Sequence, residues 1–225
     1  MNKRIMNALV FAVFCLAGVS ASATPIEITS YDVHNARLTG TGGWSHAYSG
    51  EVKLNSNGTY DYTGGGGTLN DGVIGTGTGN THLFQVGDQS VITLYLGTSS
   101  IISELELYSF AGSGNHIPGN ILGLYVTING VTEYIQTSGF GPANPTSKTD
   151  HVHEYLNLAG TALDGLVTDS IMLSGFVSDG SWSTHYSISE VMAYGTPAAS
   201  VAEPTGVLLL GAGLMGLGMI RRRKR

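Results

Sequence analysis

Two short phrases in this chain match: Gly43-Trp44-Ser45-His46 and Ser181-Trp182-Ser183-Thr184-His185. An indole face stacks on the C–H groups of a sugar ring, and an imidazole offers a hydrogen-bond partner. Trp44, His46, Trp182 and His185 are therefore the candidate carbohydrate-binding residues. The alternative is that both tryptophans close a core at strand ends. In His151-Val152-His153-Glu154, two histidines two positions apart on a strand project to one side and could share a metal ion. The plainer assignment for His151 and His153 is a surface pair at a loop–strand junction. Asp71, in the glycine-rich run 64–79, is the candidate calcium contributor, its carboxylate completed by neighbouring backbone carbonyls. Its plainer role is an Asp-Gly turn bonding its own backbone.

Signals for catalysis are missing from the sequence. There is no G-x-S-x-G, no H-E-x-x-H and no P-loop, and the one cysteine is Cys15. Glu104 and Glu106 alternate with Leu105 and Leu107, which reads as solvated outward side chains rather than an acid/base pair. The expectation is a protein that is not an enzyme.

Charge sharpens this. All the basic residues except Arg37, Lys53 and Lys148 lie among the first four or the last five positions, whereas every acidic residue except Glu203 lies between Thr24 and Ser200. A surface so acidic repels phosphate backbones, so nucleic acid is excluded as a partner. An anionic polysaccharide would need a divalent cation to bridge the two.

The two ends read as addresses. Lys3 and Arg4 precede an apolar stretch over 8–19, and Ala21-Ser22-Ala23 is a small-residue cleavage site. Residues 1–23 are thus a secretory signal helix for signal peptidase, with the body 24–195 outside. At the other end, residues 205–220 carry no charge and are followed by Arg221, Arg222, Arg223, Lys224 and Arg225. Sixteen helical residues span about 24 Å, short of the roughly 30 Å hydrocarbon core, and snorkelling arginines can cover the deficit. The expectation is a single transmembrane helix with its basic end cytoplasmic. Residues 196–200 read as a small-residue linker.

The tail Val201-Ala202-Glu203-Pro204, the Gly/Leu-rich run and the basic cluster resemble the PEP-CTERM sorting segment, with Ala202 in place of the first proline. That resemblance implies a Gram-negative host that makes exopolysaccharide, an exosortase as processing partner, and a product at the cell surface or released.

Between the two ends, no segment sustains a helical apolar period. Short alternating runs recur between turn residues. Runs 51–55 and 59–63 flank Ser56-Asn57-Gly58, and 122–128 returns through Asn129-Gly130 to 131–137, each reading as a hairpin. Leu122, Leu124, Val126 and Ile128 share one face. Separate strands are expected at 90–96 and 101–110, with others at 153–158, 170–177 and 186–194. The pattern I-S-E-Φ-x-Φ-Y (Φ apolar) occurs at both 102–108 and 188–194, placing two strands at similar positions in facing sheets. The expected fold is all-β, a β-sandwich or jelly roll.

Leu69-Asn70-Asp71-Gly72, the strand 91–97 and the closing 188–195 resemble, in that order, the discoidin or factor 5/8 type C superfamily. The resemblance implies a galactose-binding-like jelly roll, with loops at one end binding carbohydrate and a structural calcium nearby. The function expected is non-catalytic: binding or organising extracellular polysaccharide or biofilm matrix. The alternatives are a structural matrix protein with no ligand, or a carbohydrate-active enzyme with unrecognised acids.

Overall fold

The computed structural model describes residues 23–75, 77–110, 118–139, 151–179 and 185–198. Residues 1–22 of the signal segment 1–23, Trp182, Val201 to Pro204, the run 205–220 and the basic cluster lie outside the described residues. Among the described residues, no helix is long and apolar enough to cross a membrane.

Local turn chemistry builds the hairpins. Asn129 and Gly130 both have positive φ (49° and 79°) and join β7 (Ile121–Ile128) to β8 (Val131–Gln136) with Ile128 opposite Val131. Such a turn twists with its strands, and only Gly or Asn accepts it cheaply. Gly58 (φ 83°) similarly closes β3 (Glu51–Leu54) onto β4 (Tyr60–Gly65).

The other strands are β1 (Thr24–Ile26), β2 (Ile28–Ala36), β5 (His82–Gln85), β6 (Val91–Phe110), β9 (Ser138–Gly139), β10 (His151–Asn157), β11 (Val167–Ser178), β12 (His185–Ile188) and β13 (Glu190–Pro197). All pairings between these strands are antiparallel. The two strands expected at 90–96 and 101–110 are one, the 20-residue β6. Its first half lies between β2 and β11, its second half between β13 and β10. One layer is therefore β3-β4-β2-β6-β11-β7-β8, and the other is β1-β13-β6-β10-β9, with β6 continuous through both. Gly97 to Ser100, the gap left between the two expected strands, is where β6 changes partners.

Inward residues of both layers meet in one cluster. Tyr31, Ile92, Leu94, Leu124 and Leu173 come from the first layer; Leu105, Leu107, Leu156, Val191 and Ala193 come from the second. Each fully buried aliphatic side chain contributes about 1.5–3 kcal/mol of transfer free energy. Leu124, Val126 and Ile128 share the buried face as expected, but Leu122 is 42% exposed and Ile121 is buried in its place. The register between β7 and β11 slips beside Gly123, which reverses the alternation there.

The two I-S-E segments do not occupy facing sheets. They are direct neighbours, with Val191 opposite Leu107 and Ala193 opposite Leu105. The ladder also runs past Gly195. Thr196 and Pro197 pair with Ile101 and Ser100, and Ala198 N–H donates to the Ser99 carbonyl, so the linker's first residues belong to the sheet.

Candidate functional site

Strict alternation on β6 sends Leu105 and Leu107 into the core and turns Glu104, Glu106 and Tyr108 to the outer face of the second layer. The register of β10 places His153 opposite Tyr108 and Tyr155 opposite Glu106. The register of β13 places Met192 opposite Glu106 and Tyr194 opposite Glu104. Three tyrosines, one histidine and two carboxylates thereby share one surface.

Glu106 is its hub. Its Oε2 accepts from the Tyr108 hydroxyl at 2.9 Å and from the Tyr194 hydroxyl at 3.1 Å, and His153 Nε2 stands 3.3 Å away. The His153 ring stacks on Tyr108, with centroids 4.1 Å apart and planes at 16°, and meets Tyr155 at the same separation, tilted 43°. Neighbours on β10 and β13 crowd over Glu106 and leave it 8% exposed, so it is no freely solvated side chain. The rings of Tyr108, His153, Tyr155 and Tyr194 are each only partly covered. Tyr108, Tyr155 and Tyr194 all have their hydroxyl pKa raised, first by desolvation and then by carboxylates, with Glu106 acting on all three. A face with this make-up can stack on C–H groups and accept hydrogen bonds from hydroxyl or amine donors.

The sequence-predicted sugar residues that are described lie elsewhere. β5 collects three of them: Trp44 packs on Leu83, His46 stacks on His82, and His185 pairs with Gln85. Trp44 is 8% exposed, packed in a small cluster with Leu83. His46 and His82 lie 3.6 Å apart and nearly parallel, and the stack continues through Phe84 and Tyr186 to Phe176. Burial lowers the His46 pKa to about 4 and takes His82 well below its ordinary value. His82 is fully buried, whereas His46 at the end of the stack is half-buried. His185 heads β12, whose partner is β5.

Of the histidine pair, only His153 has a described side chain. His151 pairs with Phe110 at the start of β10, and its side chain is outside the described residues. His153 belongs to the tyrosine face. Glu154, between the strand's outward residues, is fully buried and accepts from Ile121 N–H at 2.5 Å; burial raises its pKa well above the carboxylate range. Among the described residues, no three of His, Cys, Asp and Glu gather as a metal site.

Asp71 accepts from Val73 N–H at 2.9 Å, the self-bonded turn. Gly72 N–H donates to Glu190 Oε2 at 3.0 Å, with further support from the Val73 and Asp71 N–H groups. A loop that aims N–H donors at its neighbouring carboxylate suits an anion.

The tyrosine face was within reach of the sequence. Period-two phrases E-x-E-x-Y (104–108), H-x-Y (153–155) and M-x-Y (192–194) mark three outward rows. What the sequence lacked was the register that sets those rows side by side.

No known family's sequence profile matches the chain, and no curated protein matches it. Among solved structures it is similar to the family 32 carbohydrate-binding module of C. perfringens NanJ in complex with galactose, at 16% identity and TM-score 0.36, covering 56% of this chain and 82% of that one. It is also similar to the C-terminal domain of a chitobiase from Bacteroides fragilis, at 16% identity and TM-score 0.38, covering 78% and 99%. A third is a histidine mutant of the lectin binding domain of Lectinolysin complexed with Lewis b, at 13% identity and TM-score 0.35, covering 76% and 99%. At such scores the assignment of two β-layers rests on the strands themselves.

Proposed function

We propose that this chain is an exported, non-catalytic carbohydrate-binding protein that holds extracellular polysaccharide on the outer face of its second layer. The observation that carries the reading is the set of Tyr108, Tyr155, Tyr194 and His153 around Glu106. Two of the three hydroxyls are already tied to one carboxylate, so those rings lose little rotamer freedom when a ligand arrives. Sugar rings present an apolar C–H face and a rim of hydroxyls, which this surface matches.

The test is affinity electrophoresis of the exported protein through gels containing a panel of bacterial exopolysaccharides. At least one polymer should retard it, and a Tyr155→Ala, Tyr194→Phe double variant should migrate freely while keeping the wild-type circular dichroism. Free migration of the wild type through every polymer would end the reading.

Export and sorting enter the proposal through the terminal sequences. A secretory signal and a PEP-CTERM-like tail deliver the body outside, with Glu203 and Pro204 at the processing point and the basic cluster as the stop. Intact-mass spectrometry of cell-bound and released protein should give a released form beginning at Thr24 and ending near Glu203. A released form that keeps Arg225 would rule out exosortase-type processing.

A further inference from the structure

We propose that the polysaccharide held by this face is cationic: an amino-sugar polymer carrying free, protonated amines. The inference rests on the carbohydrate-binding reading and names the chemistry of its ligand.

Its first support is uncompensated charge. Glu104 and Glu106 stand among three tyrosines, and no lysine or arginine occurs on any of the five strand segments of this layer: 24–26, 190–197, 102–110, 151–157 and 138–139. Elsewhere among the described residues Arg37 is engaged by Asp88, and Lys53 lies on β3, at the edge of the other layer; Lys148 lies outside the described residues. A neutral sugar would leave Glu104 without a counter-charge and Glu106 with the His153 imidazole alone, and an anionic polymer would be repelled. An ammonium group gains a charge-assisted hydrogen bond from a carboxylate and attraction from the faces of neighbouring tyrosines.

Continuity is the second support. A groove of about 390 Å³ begins at Met192 and Tyr194 on the same face and runs to Pro25, Glu27, Asn70 and Glu190. Glu27, exposed along this groove, carries the acidic surface beyond one sugar ring, as a polymer with repeated amines requires. Glu104 and Glu106 are two positions apart on one strand, roughly 6.6 Å along it. Successive cationic units can engage them in turn. The third support is the sign of the local field: Glu104 and Glu106 both act on the hydroxyls of Tyr155 and Tyr194 in the direction that disfavours further negative charge.

The experiment compares two ligands of one length, a fully N-acetylated β-linked glucosamine oligomer and its deacetylated counterpart. Isothermal titration with the exported full-length protein should show the deacetylated oligomer binding at least about tenfold more tightly, an advantage that shrinks in high salt. Glu106→Gln keeps an acceptor for the tyrosine hydroxyls while removing the charge, and Glu104→Gln removes the second charge without touching that hub. Each should reduce the preference severalfold, and Glu104→Gln serves alone if Glu106→Gln does not fold. Equal or tighter binding of the acetylated oligomer overturns the inference and leaves the carbohydrate reading standing. If neither oligomer binds but another polysaccharide does, the inference also falls. Polylysine competing as well as the deacetylated oligomer would overturn the commitment to a sugar. No binding to any polysaccharide would remove both readings together.

Discussion

Replacing Glu190 by glutamine should raise the melting temperature at pH 8 and leave it near the wild-type value at pH 4. Glu190 is 4% exposed, and its pKa is pushed up to about 7, first by burial and further by the charge of Asp71, against the opposing pull of the Gly72 N–H. In the unfolded chain the group ionises near its ordinary value. Below that value both states carry the proton and the group costs nothing. As pH rises, the unfolded state ionises first, so stability falls until the folded pKa is passed. The full loss is about 3 kcal/mol, or roughly 6–12 °C for a chain of this size. Glutamine keeps a carbonyl for the Gly72 N–H and never ionises, so the variant escapes the loss.

Two neighbouring effects shape the wild-type curve. Glu154 is buried and raised in the same direction, so it leaves a residual alkaline slope in the variant. His46 acts oppositely: its folded pKa, lowered to about 4, makes stability fall as pH drops below its ordinary value of 6.5. Melting curves at pH 4, 6 and 8 separate these limbs. Superimposed wild-type and variant curves at pH 8 would mean that the N–H cradle stabilises the ionised carboxylate at no cost.

What the sequence revealed was what local chemistry decides. Ser56-Asn57-Gly58 and Asn129-Gly130 dictate their turns through backbone conformation within a few residues, so both hairpins were legible. Alternation likewise told which side of each strand is apolar. The partners of a strand are decided by residues far away in sequence. Gly97 to Ser100 has turn-like composition, yet β6 continues through it because β13 takes over on one edge from β2 and β10 on the other from β11.

The site followed the same division. Glu106 was legible as outward, but its burial is the work of Tyr108, Tyr194 and His153, and only the register brings the last two to it. Trp44 was legible as an aromatic beside a histidine. Its burial against Leu83 follows from where β5 runs.

The repeated phrase I-S-E also explains the second large effect expected, that of Gly195→Ala. Gly195 follows Tyr194 at a register slip, where Tyr194 pairs with Glu104 and Gly195 with Ile102. A Cβ on Gly195 would stand 2.0 Å from the Ile101 carbonyl oxygen and 3.0 Å from Ile102 Cα. Both neighbours are backbone of β6, at the point where that strand passes from one layer to the other, so no flexible side chain can yield. On the opposite edge Gly195 pairs with Thr24, whose hydroxyl donates to the Gly195 carbonyl at 3.1 Å. Relief of the clash would have to part β13 from β6 or β1 from β13.

The expected cost is about 3 kcal/mol or more, a fall in melting temperature of roughly 6–12 °C. Gly87→Ala is the matched control, because its added Cβ meets nothing within 4 Å; it should change stability by no more than about 0.5 kcal/mol. Glycan affinity supplies a separate readout, since parting β13 from β6 carries Tyr194 away from Glu106. A Gly195→Ala protein that melts with the wild type yet binds polysaccharide weakly would show that β13 shifts at small cost and that the tyrosine face depends on its register. One that melts with the wild type and binds equally would show that the backbone at Ile101 relaxes freely, and that this crossing does not hold the two layers together.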